Sequence, residues 1–210
     1  MKKRLITIML LSLGFNCWSQ VFIEGYSGYS FASHLRVAEA TTATDSFGKL
    51  IFDKSELSFK SGNSFGGKIG WYTQDPGSVY LLFDTRKSDI EVTGEATAPL
   101  ELQMDHYHLG GTAYYPSGNF YPYVSASIGA SRLTLSEGYG SETQPSLSIG
   151  VGSEYRIGEH LRLNLGLVGY AVLLENEELI FCDPEIQCSW QVDGKAIFQG
   201  QANFGISVGF

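Results

Sequence analysis

The chain has 210 residues, enough for one sizeable domain, and carries a net charge of −8 with only 17% charged residues. An acidic chain with no basic face is a poor nucleic-acid binder, which excludes nucleic acid as a partner. Its 25 glycines, 12 tyrosines and 13 phenylalanines suit many strands and turns better than helices.

Residues 1–19 read as a signal peptide. Lys2, Lys3 and Arg4 precede an apolar run over 5–15 that is too short to span a bilayer. Cys17 and Ser19 then set small residues at −3 and −1 for cleavage before Gln20. A lipidated Cys17 is disfavoured, since Phe15 and Asn16 are poor residues ahead of a modified cysteine. Cleavage removes three basic residues and no acidic one, so the exported domain, residues 20–210, is more acidic still. No later stretch approaches ~18 uninterrupted apolar residues, the length of a membrane helix. A membrane barrel escapes that test, because each of its strands gives only a weak alternating signal.

Period-two alternation marks eight segments, at 21–32, 57–72, 78–92, 101–115, 119–133, 145–157, 160–174 and 196–210. The second opposes Phe65, Ile69 and Trp71 to Ser64, Gly66, Lys68 and Gly70. The sixth opposes Leu147, Ile149, Val151 and Tyr155 to Ser146, Ser148, Gly150, Gly152, Glu154 and Arg156. In the seventh, Leu161, Leu163, Leu165, Leu167 and Leu173 oppose Arg162, Asn164, Gly166 and Tyr170. The last sets Ala202, Phe204, Ile206, Val208 and Phe210 against Gln201, Asn203, Gly205, Ser207 and Gly209. A helix would not sort residues by parity. Tight turns rich in Pro, Gly and Asp at 73–77, 116–118 and 157–159 alternate with longer links at 33–56, 93–100, 134–144 and 175–195. Long and short links in alternation are the layout of an outer-membrane barrel, with short turns periplasmic and long loops extracellular.

Two barrels remain: a soluble one with leucine rows inside, and a membrane one with those rows in lipid. The polar rows are mostly Gly and Ser, small enough to fill a narrow eight-stranded interior. Aromatics on the apolar face form two belts, Trp71, Tyr115, Phe120, Tyr155 and Phe210 near the short turns, and Tyr29, Phe31, Tyr107 and Phe198 near the long loops. Charges are nearly absent from the central apolar rows, where Lys or Arg would cost roughly 2–4 kcal/mol. The expected fold is therefore an all-β, eight-stranded antiparallel up-and-down transmembrane β-barrel.

The ending Phe204, Ile206, Val208 and Phe210, with small or polar residues between, resembles the C-terminal signal of outer-membrane barrels. The segment over 121–130, with Pro122, Tyr123 and Val124, is similar to the Pro-Tyr-Val strand of outer-membrane β-barrel domains. Strand count and loop pattern resemble the small OmpA, OmpX and OmpW types across residues 20–210. The resemblance implies insertion by the barrel-assembly machinery, and outer-membrane lipid and lipopolysaccharide as surroundings. A monomer is expected, with no cofactor.

Inward parity puts Glu24, Lys68, Asp84, Arg86, His106, His108, Glu154, Arg156 and Arg162 in the lumen, a near balance of acids and bases that reads as a plugging network. Leu102 and Met104 fall in the same phase and narrow the loop end. Lipid A deacylases of this architecture use a His-x-Ser pair; here His106-Tyr107-His108 puts His at the Ser position, and no Gly-x-Ser-x-Gly elbow occurs. The two histidines lack an identifiable third metal ligand. Cys182 and Cys188 flank Asp183-Pro184 in an acidic loop and read as a local disulfide in an oxidising compartment. Lys87 and Arg132, outward near the loop end, are candidates for lipopolysaccharide phosphates. The expected role is structural or surface-interactive and not catalytic. A narrow solute or ion pore, a lipid A-modifying enzyme and a soluble carrier of an apolar ligand are the alternatives.

Overall fold

The alternation of apolar and polar residues fixes which edge of each strand meets which surroundings, and the backbone ladder does the rest. The computed structural model describes residues 21–31, 33–36, 56–92, 100–135, 141–174, 179–180, 190–191 and 196–210. Eight strands form the wall: β1 (Val21–Ser30), β4 (Gly62–Tyr72), β5 (Gly77–Val92), β6 (Leu100–Tyr114), β7 (Phe120–Leu135), β8 (Ser141–Ile157), β9 (Leu161–Leu173) and β12 (Ala196–Gly209). Each pairs antiparallel with its neighbours in the order β1-β4-β5-β6-β7-β8-β9-β12. The last strand closes on the first, with Ile23 opposite Val208 and Tyr29 opposite Ala202. This is the up-and-down barrel expected from the parity of the sequence.

The short turns lie where Pro, Gly and Asp predict them. Thr73 N–H bonds the Gly77 carbonyl at 3.0 Å while the Thr73 hydroxyl reaches the Asp75 carbonyl at 2.9 Å. Gly118 and Gly158 sit at φ +63° and +76°, a conformation that side chains with a Cβ resist. Two of the long links are shorter than expected. Residues 33–56 contain β2 (Ser33–Arg36) and the start of β3 (Glu56–Phe59), which pair with each other, while β3 also adds to β5. Strands β7 and β8 stay paired out to Thr134 and Ser141. A ladder that has begun in lipid continues past it wherever the facing strand still offers backbone partners. The dipeptide strands β10 (Leu179–Ile180) and β11 (Trp190–Gln191) pair within the last long link.

The wall is inside out by the standards of a soluble protein. Ile128, Ile149 and Phe198 are 70%, 67% and 70% exposed, whereas Asp84, Arg86, Glu154 and Arg162 are buried. Both aromatic belts point outward. The lumen also holds more than small residues. Tyr26, Tyr80, Tyr114, Tyr123 and Tyr170 are buried in it, often beside glycines on adjacent strands. At Gly110, a Cβ would lie 2.7 Å from the Tyr80 ring and 2.6 Å from Ser127 Cβ, so the missing side chain is what admits the ring.

Candidate functional site

The lumen is built in layers. At the end formed by the short turns, aromatic rings and arginines interleave. Phe22 and Tyr72 lie 4.6 Å apart between centroids, with Tyr114 6.2 Å from Tyr72. The Arg162 guanidinium stacks 3.7 Å over Tyr72, and that of Arg156 3.6 Å over Tyr121. Glu154 accepts the Tyr114 hydroxyl at 2.6 Å and Arg162 Nη1 at 3.4 Å. One layer further in, Lys68 Nζ meets Glu24 Oε1 at 2.9 Å. Asn164 donates to Glu24 at 3.4 Å and accepts from the Tyr123 hydroxyl at 2.9 Å. Each carboxylate in this half thus has a cation and a neutral donor, which is what a buried charge requires.

The middle of the lumen is a chain of hydroxyls and imidazoles. His106 Nδ1 meets Ser131 Oγ at 2.5 Å, Ser131 donates to Ser146 at 2.6 Å, and Ser146 meets His108 Nε2 at 2.8 Å. His108 Nδ1 continues to Ser127 at 2.7 Å, and Ser127 to Ser148 at 2.6 Å. Tyr170 stacks on His106 at 4.3 Å. Among the described residues neither imidazole has a carboxylate partner to orient it as a base, and no group of three His, Cys, Asp or Glu is placed to hold a metal ion. Both rings also point away from lipid.

Toward the long loops the inward face turns apolar. Leu102, Met104, Leu133, Val172, Leu174 and Ile197 are all buried there. Met104 faces Leu133 across β6 and β7, and Ile197 faces Val172 across β12 and β9. Of these six, only Leu102 and Met104 stood out in the sequence. The parity of β9 and β12 assigns Val172, Leu174 and Ile197 to the same face as Tyr170 and Gln199. A concavity of about 660 Å³ lies instead in the outer wall over Gly67 among Ile23, Ile69, Leu81 and Phe83, where acyl chains would fill it.

Outside the lumen, Lys87 Nζ pairs with Glu101 at 2.7 Å, both exposed, and Arg132 donates to Ser141 Oγ at 2.9 Å. Asp105, outward on β6, accepts from Thr85 at 2.6 Å and Gln103 at 3.0 Å. Phe204, Ile206, Val208 and Phe210 form one exposed row on the closing strand and its end. Cys182 and Cys188 lie outside the described residues, as does the proposed signal peptide.

The family model described as "Outer membrane protein beta-barrel domain" matches residues 19–177. The chain belongs to that family. Among solved structures it is similar to neisserial surface protein A, at 13% identity and a TM-score of 0.56, covering 90% of this chain and 97% of that one. It is likewise similar to the outer membrane protein OprG of Pseudomonas aeruginosa, at 13% identity and a TM-score of 0.60, covering 91% and 96%. At that identity the likeness speaks for the fold alone. No curated protein matches by sequence. This outer-membrane β-barrel domain sets its leucine rows in the lipid of a Gram-negative outer membrane, with tight turns on the periplasmic side and long links outside.

Proposed function

We propose that the barrel is a plugged envelope protein with a structural or surface-interaction role. What supports this reading is the Glu24–Lys68 and Glu154–Arg162 network on one side of the lumen and six buried apolar side chains on the other. An interior of eight strands has room for side chains and little else. The purified full-length chain in planar bilayers is expected to give no steady single-channel steps; reproducible steps would replace this reading with a narrow pore.

The outer rim is the second part of the proposal. Lys87 and Arg132 exchange their contacts with Glu101 and Ser141 for lipopolysaccharide phosphates. Exposed pairs of that kind are worth about 0–1 kcal/mol, so the exchange costs little. Replacing both cations with Gln should lower co-purifying lipopolysaccharide; unchanged amounts in the double variant would end the idea. The row of Phe204, Ile206, Val208 and Phe210 is the face offered to the assembly machinery, and Cys182 with Cys188 staples the acidic outer loop.

A further inference from the structure

One lumenal charge stands apart from the network. Arg86 on β5 is 2% exposed, yet among the described residues it donates only from Nη2 to the thioether Sδ of Met104 at 3.7 Å. A thioether is a weak acceptor, and a guanidinium does not give up its proton in a protein. Its Nε and Nη1 have no partner among the described residues. Lys68 and Arg162, by contrast, each meet a carboxylate. Its nearest counter-charge is Asp84, one inward position away on the same strand, which attracts it without a direct ion pair, and a buried cation without such a pair is costly.

Other unpartnered polar atoms collect at the same level. Ser64 is the cross-strand neighbour of Arg86, Ser88 is the next inward residue along β5, and neither hydroxyl has a partner among the described residues. Gln201 crosses the lumen to Asp84 Oδ2 at 3.0 Å. Gln199 lies one inward position nearer the loops on β12, as Arg86 does on β5, so the two face one layer; neither atom of the Gln199 amide has a partner among the described residues. His106 Nε2, on the ring stacked against Tyr170, has no partner among the described residues either. Met104, the register partner of Arg86, and Leu133, Val172 and Ile197 line the lumen around this level and are buried.

We propose that this layer is an enclosed site for one small monovalent anion. Arg86 Nε and Nη1 and the Gln199 amide N–H hold it, with the Ser64 and Ser88 hydroxyls as further donors. Asp84 is the opposing charge. Its carboxylate is engaged by Gln201 at 3.0 Å and lies beside the Tyr26 hydroxyl, so it weakens the site without ligating. Because Arg86 and its neighbours are buried in the lumen, the anion enters as the wall closes and stabilises the folded state by mass action.

The full chain, refolded into detergent micelles with sodium bromide or with sodium gluconate at equal ionic strength, tests this. Bromide crystals should show an anomalous peak in contact with the Arg86 guanidinium. The heat-shift midpoint should rise with bromide in the parent and not in Arg86→Met. Asp84→Asn should lower the half-saturating bromide concentration about tenfold, as expected for removing a nearby like charge. Water density bridging Arg86 to Asp84, with no anomalous peak, would overturn the proposal. An equal response of the parent and Arg86→Met to bromide would do the same. Should Arg86→Met fail to fold, the anomalous map of the parent decides alone.

Discussion

Arginine in place of Leu167 is expected to destabilise the barrel by about 2–4 kcal/mol in lipid vesicles, the penalty for a cation on the lipid face near the bilayer midplane. Leu167 sits midway along β9, exposed, beside Val151 on β8 and Ala202 on β12. The same replacement at Thr143, outward but near the loop end of β8, should cost only about 0–1 kcal/mol. Equilibrium unfolding by denaturant from vesicles measures both. In water an exposed leucine exchanged for arginine changes stability little, so a flat result at Leu167 would contradict a lipid-facing wall.

The second large effect is expected inside. Glu24→Gln leaves Lys68 buried without its counter-charge, and breaking a buried pair from one side typically costs about 3–5 kcal/mol. Adding Lys68→Met should recover much of that loss, because the pair's attraction is offset by the desolvation of both members. The Lys68 ammonium also lies 5.5 Å from the ring centroids of both Tyr26 and Tyr80, so a methionine there keeps aromatic company. A double variant as unstable as the sum of its parents would show instead that the two groups act independently.

The strands were legible because lipid and lumen impose opposite demands on alternate residues along the whole wall. Rows such as Leu161, Leu163, Leu165 and Leu167 against Arg162 and Asn164 carry that demand directly. It was harder to see where the rule stops. Beyond the polar middle, inward positions become apolar, as at Leu133, Val172 and Ile197, and hydropathy alone then assigns them to lipid. Only the unbroken parity of their strands places them correctly. Of the buried tyrosines only Tyr170 is assigned to the polar face by the sequence; the others are hard to place because each brings an apolar ring and a hydroxyl, which suits either face. Which cations meet a carboxylate could not be read from parity, since partners such as Glu24 and Lys68 depend on register between strands distant in sequence.

The seam between β1 and β12 bears on how the molecule is made. The first strand finds one of its two partners only when the last has been synthesised, and every wall strand between them must wait for that closure before its neighbours form a ring. Such high contact order makes folding slow, with a long interval of open edges that invite aggregation. Closure of the ring therefore comes late, and a substitution at the seam, for example at Ile206, should show itself as lost yield of inserted protein sooner than as lost stability of the finished barrel.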